Sequence, residues 1–305
     1  LRWSVSHDSL WHAHRACQAL VHRAHTDAPV DRCRKRVLAF VNASPSYYPA
    51  RGGFTLTTEA SDLRSIEWGD PVEAIEKCYE LGWTDGLPVV PPTEERVRAM
   101  LLGARRNSPS DILGVESVKG RSITVEHVAI NAVMAGCLPG YFPVLIASLE
   151  AMCEPEFNLH GIPASTMGAG ILAVVNGPIA EAIGINGSTS VFGPGHRANA
   201  TIGRAIRLCI INATGSKSGE IDKATLGHAG KYTWCITENI EASPWLTLGE
   251  DRGFNKESNV VTVFSGLSPT QVSNHSTQEP ESILRSFKDA LFAAGPSQAE
   301  RRTPA

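Results

Sequence analysis

The sequence predicts an α/β or α+β fold, formed as a single compact domain with a mixed sheet and flanking helices. Three observations lead to this prediction. Apolar residues recur with the helical period in several segments, and short continuous apolar runs bounded by glycine lie between them. Such runs are typical of strands buried on both faces. Helices and strands intermix along a chain of 305 residues, which is long enough to bury one sizeable core.

The first elements of the domain are marked by proline and glycine. Residues 71–81 are predicted to form a helix, with Pro71 in its first turn and Gly82 as its C-cap. The proline-rich run 83–92 is expected in a loop or at a sheet edge, because proline cannot donate to a strand ladder. Thr93 then begins a second helix with a capping-box pattern.

The middle of the chain alternates helices with a buried strand. An apolar face with helical spacing begins at Val125 and ends at Gly136, and a further helix is predicted over residues 139–152. Residues 171–175 form a continuous apolar run, predicted to be a central strand. Two helices follow, a short one at 178–183 and a long one at 197–213, whose Arg204 and Arg207 are expected on or near the side opposite its apolar face.

The last third of the chain completes the prediction. Residues 232–237 and 260–264 are expected to be strands, and residues 280–293 a final helix. Its apolar residues Ile283, Leu284, Phe287 and Leu291 are expected to face inward.

The residues before the domain have an unusual composition. Residues 1–60 hold five of the ten histidines and a basic run at 32–36. We interpret this segment as a disordered or spurious extension, with a regulatory or targeting arm as the alternative. The domain is then expected to span 61–295, followed by a disordered tail at 296–305.

Overall composition excludes several classes of function. A net charge of −3 argues against a nucleic-acid partner, and the longest apolar stretch is interrupted by glycine and proline, so no membrane helix is expected. The seven cysteines form no CxxC pair. This pattern argues against a zinc cluster or disulfide framework and favours a cytoplasmic protein without a metal site.

A glycine-rich loop over residues 184–195 leads directly into the long helix. Helix N-termini bind anions, and Gly193 and Gly195 would let the backbone approach a ligand closely. His196 and Arg197 place basic groups where helix electrostatics favour acids, which suggests an anionic ligand. The alternative is a structural loop whose Arg197 pairs with a group elsewhere. Further candidate ligand contacts are Asn186, Ser188, Asn199 and Lys231.

Catalytic candidates lie in several loops. Cys137 precedes a predicted helix and could be a nucleophile, although a free cysteine is more often buried. His160, His196 and His228 could act as acids or bases, could be metal ligands, or could be surface groups. Polar residues that follow a strand often contact ligands in α/β folds, so Glu238 is a catalytic candidate and Asn239 a ligand contact; their alternative role is to cap the next turn.

A set of segments spread over the domain carries a resemblance to a known family: 82–93, 129–137, 157–161, 197–204, 230–233 and 241–245. Together they resemble a bacterial family that accompanies, or is fused to, small UGSC-motif (seleno)proteins. The resemblance covers residues 69–294 and implies a partner with a thiol or selenol, while no catalytic residue carries over from it. This chain has no Cys-Gly-Ser-Cys sequence, so it would be the companion domain.

Three functions remain open from the sequence. The chain could be an enzyme or enzyme subunit acting on a small anionic molecule, with thiol- or selenol-linked redox, lyase or hydrolase chemistry beside a UGSC-type partner. It could instead be a non-catalytic substrate-binding or scaffolding subunit of such a system, or a structural homo-oligomer. The sequence predicts no particular cofactor.

Overall fold

A computed structural model of the chain describes residues 37–40, 71–103 and 108–294. The expected extension therefore lies largely outside the described residues, as does the expected tail. The chain divides into two compact units, and residues 34–268 form the larger one. Of the smaller unit, residues 269–294 are described.

The larger unit is built on a four-stranded mixed sheet with the spatial order β1-β6-β4-β5. Strand β6 runs antiparallel to both of its neighbours, whereas β4 and β5 run parallel. Helices flank the sheet, so the predicted fold class is confirmed. The strands of this sheet are β1 (Val37–Phe40), β4 (Gly170–Asn176), β5 (Cys235–Thr237) and β6 (Asn259–Gly266), while β2 (Ile112–Glu116) and β3 (Arg121–Thr124) form a separate antiparallel hairpin.

Strand β1 comes from the segment that the sequence suggested was an extension. Its four residues pair with β6, with Val37 opposite Thr262 and Phe40 opposite Asn259. This apolar run gives β6 a hydrogen-bonded neighbour on its second edge, which periodicity within the extension could not indicate. The extension as predicted therefore contains one strand of the sheet, and its other residues lie outside the described part.

The predicted helices are present, several with their expected ends. Thr93 caps its helix by accepting a hydrogen bond from the Arg96 N–H, without the reciprocal bond of a capping box. Gly136 ends the next helix in the left-handed conformation, with φ 86°. The helices are α1 (Pro71–Glu80), α2 (Glu94–Leu101), α3 (Val125–Ala135), α4 (Phe142–Cys153), α5 (Gly161–Ala164), α6 (Pro178–Ala182), α7 (Arg197–Ala213), α8 (Leu248–Asp251) and α9 (Pro280–Ala293), with 3-10 turns at Pro139–Tyr141, Pro155–Phe157 and Ala229–Lys231.

The core lies between the sheet and three helices. Helix α4 lies along β6 and β1, α7 lies along β5 and β4, and α3 packs against both helices. Strand β4 is central, as predicted, and Ala173 and Val175 are fully buried in it. The strand predicted at 232–237 is shorter than expected, because regular pairing with β4 begins only at Cys235.

Helix α9 belongs to the smaller unit and differs from the prediction in its faces. Its bounds match, yet Phe287 is 49% exposed and Leu291 71% exposed, so the expected inward stripe is wrong at these two positions. Within this unit, the Asn274 side chain donates a 2.9 Å hydrogen bond to Ser286 Oγ. Among the described helices, none combines the length and the hydropathy needed to span a bilayer.

Candidate functional site

A cleft of about 410 Å³ opens at the carboxyl ends of β4 and β5. Val175 is opposite Thr237 in this parallel pair, so the next residues, Asn176 and Glu238, follow their strands side by side. Ligands gather at the carboxyl ends of strands in α/β sheets, and the volume suits a small molecule. The cleft is therefore the candidate functional site.

Five segments line the cleft, and two of them contain residues expected from the sequence. The glycine-rich loop contributes Gly187 and Ser188, and the segment after β5 contributes Glu238 and Asn239. Asn239 Nδ2 donates a long 3.4 Å hydrogen bond to Ser188 Oγ, which links these two segments across the rim. The remaining lining comes from residues 176–181, from α8 with Thr247, and from residues 255–258.

The amide of Asn176 is the most buried polar group of the cleft. The residue is 2% exposed, and its Nδ2 donates a 2.5 Å hydrogen bond to Glu238 Oε2. The same carboxylate oxygen accepts a 2.8 Å bond from the Leu248 N–H. Since Nδ2 must point to the carboxylate, Oδ1 is directed elsewhere, and it has no hydrogen-bond partner within the described part of the chain.

The cleft carries a strong excess of negative charge. Its carboxylates are Glu181, Glu238, Glu241, Glu250 and Glu257, against the single ammonium group of Lys256. The backbone N–H and then the hydroxyl of Thr247 donate to the Glu250 carboxylate and hold its pKa below the ordinary value, so this side chain stays ionised at neutral pH. An anionic ligand would be repelled by this lining.

The glycine-rich loop is tied to α7 by two asparagines. Asn199 is buried; its Oδ1 accepts a 2.8 Å bond from the Asn186 N–H, and its Nδ2 donates a 2.9 Å bond to the Asn186 carbonyl. The Asn186 side chain in turn accepts from the Ser188 N–H and donates to the Thr189 carbonyl. Both amides thus hold the loop in place, and the loop side chains that line the cleft are those of Ile185 and Ser188.

Arg197 lies outside the cleft lining and has a structural partner. Its Nε and Nη2 donate hydrogen bonds of 3.1 and 2.8 Å to the carbonyl of Gly136, at the end of α3. A cation there stabilises the C-terminus of that helix. His196 is exposed and makes no capping hydrogen bond, and Gly193 donates to the Ser190 carbonyl in a turn. Together with Gly195, these residues form a structural turn rather than a wall of the cleft.

Cys137 is poorly suited to act as a nucleophile. It is 8% exposed, and its thiol donates a 3.2 Å hydrogen bond to the Thr201 carbonyl. Burial raises the pKa of the Cys137 thiol to about 12, so the thiolate is scarce at neutral pH. The geometry therefore favours the structural interpretation of this cysteine.

The candidate histidines do not converge on the cleft. His160 Nδ1 lies 3.1 Å from Oε1 of the buried Glu116, whose carboxylate also accepts from the Val118 and Lys119 N–H groups. His228 Nδ1 accepts from the Gly230 N–H, and its ring packs edge-on against Trp234. Burial lowers the pKa of His228, so the neutral ring is favoured.

Lys231 belongs to a buried ion cluster and does not line the cleft. Its ammonium lies 2.9 Å from Asp222 Oδ2, and the Arg207 guanidinium donates to the same carboxylate at 2.7 Å. Burial by itself raises the pKa of Asp222, but the hydrogen bonds from Lys231 and Arg207 outweigh it and hold that pKa below its ordinary value. The cluster fixes the loop before β5 onto α7.

Metal binding has no clear side-chain basis in the ranges 71–103 and 108–294. Within them, no three or more His, Cys, Asp or Glu side chains are grouped so that they could hold a metal ion. The floor of the cleft instead offers one carboxylate and one amide oxygen, a set suited to hydrogen-bond donors.

The sequence indicated Ser188, Glu238 and Asn239 but missed Asn176. A signal for it was present in the sequence, because Asn176 directly follows the apolar run 171–175 just as Glu238 directly follows the predicted strand 232–237. The rule that drew attention to Glu238 applies equally to the end of β4.

Comparison of the chain with protein-family models, with curated proteins and with solved structures finds no match. The resemblance to the family that accompanies UGSC-motif proteins therefore stays a prediction.

Proposed function

We propose that this chain is a substrate-binding subunit that holds a small polar molecule in the cleft at the ends of β4 and β5. The observation that carries the proposal is the buried Asn176 amide, whose oxygen lacks a partner at the floor of a cleft of ligand size. Buried polar groups are nearly always hydrogen-bonded, and an exception at the floor of a cleft is explained by a ligand that completes the bonding.

Binding is favoured over catalysis by the cleft's own side chains. Cys137 and the three candidate histidines do not line it, and its titratable side chains are glutamates with one lysine. A subunit of this kind would present its ligand to a separate reactive group. A cytoplasmic UGSC-motif partner with a thiol or selenol, as the sequence resemblance implies, would supply such a group.

Thermal unfolding of the chain with a set of small amines, acids, polyols and amides tests the proposal. A compound that binds only the folded state raises the Tm by mass action. Ser188→Trp places a large side chain at the exposed rim of the cleft, and Ser110→Trp makes the same change at an exposed position away from it. We expect at least one compound to raise the Tm of the natural chain and of Ser110→Trp, but not that of Ser188→Trp. Equal shifts in all three proteins, or no shift with any compound, would refute the proposal.

A further inference from the structure

We infer that the group bound at the floor of the cleft is a protonated primary amine, held between Asn176 Oδ1 and the Glu238 carboxylate. This inference rests on the proposed function and specifies the chemical class of its ligand.

The first argument is the hydrogen-bonding capacity of the floor. Asn176 Oδ1 is an acceptor, 98% of the residue is buried, and the Nδ2 donor of the same amide is already used by Glu238. The Asn176 amide and the Leu248 N–H both donate to Glu238 Oε2, which leaves Oε1 of this carboxylate as the acceptor for a further donor. Asn176 Oδ1 has almost no accessible surface, so a ligand donor reaches it only when the side chains around it move. The two groups that the donor would then meet are both acceptors, and an ammonium group has three donors and no acceptor.

The second argument is charge. Five carboxylates and one ammonium line the cleft, an excess of four negative charges when all are ionised. A hydroxyl or amide could donate to Asn176 but would leave this excess uncompensated, and a carboxylate or phosphate would add to it. A cation that carries N–H groups would donate the hydrogen bond that Asn176 Oδ1 lacks and would also compensate the negative charge of the cleft.

The third argument separates an organic cation from a metal ion. No three acidic or histidine side chains in the described part of the chain are grouped as metal ligands, so the negative charges surround the cleft without converging on one point. Dispersed carboxylates around a single buried amide suit a molecule that carries a cationic end and further polar groups along its length.

Calorimetric titration of the full chain with putrescine, butanediol and succinate tests the inference, because the three compounds share a carbon chain and differ in end group. We expect putrescine to bind at least about ten-fold more tightly than the other two. Glu238→Gln keeps an acceptor for the Leu248 N–H but removes the charge, and it should weaken putrescine binding about ten-fold or more. Glu220→Gln, at an exposed position outside the cleft, should leave the affinity unchanged.

Two controls keep the inference separate from the proposed function. Glu257→Gln changes an exposed rim carboxylate, so it should fold even if Glu238→Gln does not, and it should weaken putrescine binding to a smaller extent. Binding of butanediol or succinate that equals or exceeds binding of putrescine, and that Ser188→Trp abolishes, would overturn the amine while leaving the binding cleft intact. Failure of putrescine to bind also overturns the amine, whereas the proposed function fails only if no compound of the wider set binds in the cleft.

Discussion

Four buried asparagines in the described part of the chain share the same amide chemistry and differ in how their carbonyl oxygens are used. Asn131 Oδ1 accepts from Asn212, Asn199 Oδ1 from the Asn186 N–H, and Asn259 Oδ1 from the Ile179 N–H. Asn176 Oδ1 alone among the four lacks a donor. Leaving a buried acceptor unpaired costs about 1–3 kcal/mol, so this position is the one where a bound donor would add most to stability.

Arg197 shows how a local argument can identify the wrong partner. Considered with α7 alone, a cation in the first turn opposes the helix dipole and suggests an anion. In the structure the same guanidinium donates to the Gly136 carbonyl and compensates the end of α3. The C-terminus of one helix lies beside the N-terminus of another, and this arrangement depends on tertiary packing that the sequence pattern does not specify.

We expect Arg197→Gln to destabilise the free protein by about 0.5–1 kcal/mol, because two hydrogen bonds and a favourable charge at the end of α3 are lost while some repulsion at α7 is relieved. Chemical denaturation measures this change. Arg197→Lys, which keeps the charge, should lose less. Binding in the cleft should be unaffected by either change, and an unchanged or raised stability of Arg197→Gln would contradict the structural role.

At the scale of elements, the sequence predicted where helices end better than it predicted which of their faces are exposed. Gly82 and Gly136 end their helices as expected, since capping depends on a few neighbouring residues. The exposure of a helix face depends on what packs against it. Phe287 was expected inside and is half-exposed. Arg204 was expected on or near the side opposite the apolar face of its helix, and there it donates two 2.8 Å hydrogen bonds to the Asp85 carboxylate.

The ion cluster on α7 gives a prediction at this scale. Asp222→Asn leaves Arg207 and Lys231, which are 16% and 12% exposed, without their carboxylate. We expect a loss of about 3–5 kcal/mol, the usual cost of breaking a buried ion pair from one side. Glu94→Gln, which breaks the exposed pair with Arg98, should cost less than about 0.5 kcal/mol in the same denaturation experiment.

The pH dependence of the free energy of unfolding, compared between the natural chain and Asp222→Asn, tests the role of the Asp222 carboxylate. Because the folded-state pKa of Asp222 lies below its ordinary value of 3.8, its stabilising contribution is complete above that pH and is lost as the pH falls through the lower folded-state pKa. The difference between the natural chain and Asp222→Asn should therefore be constant at neutral pH and shrink in acid below pH 3.8. A difference that grows on acidification would contradict the assignment.

At the scale of the whole molecule, the position of the cleft follows from strand register. Asn176 and Glu238 are 62 residues apart in the chain and meet because β4 and β5 are parallel neighbours. The sequence predicted both strands but not that they are neighbours. It therefore indicated Glu238 as a site residue without indicating that Asn176 lies beside it. Strand β1 itself was not predicted, because its segment was interpreted as an extension, so its pairing with β6 was missed as well.

The central position of β4 gives a prediction at the scale of the whole molecule. Val174 is 5% exposed in a strand with neighbours on both sides. Val174→Asp would bury an unpaired carboxylate, and we expect it to abolish cooperative unfolding or soluble expression. Val115→Asp makes the same change in β2, where the side chain is 45% exposed, and should shift the Tm only slightly. Circular dichroism during heating compares them, and a normal transition for Val174→Asp would mean that β4 is not the core strand.

The hydrogen bonds between Asn199 and the backbone of Asn186 also have a consequence for how such a sequence can evolve. The side chain at 199 must both accept and donate, whereas position 186 contributes its own peptide groups to these two bonds. Aspartate would lose the donor, and glutamine would be one methylene too long, so asparagine is the residue that fits at 199. Among descendants of a common ancestor, position 199 should therefore change more slowly than position 186, and an alignment in which 199 varies freely would show that the loop can be held in another way.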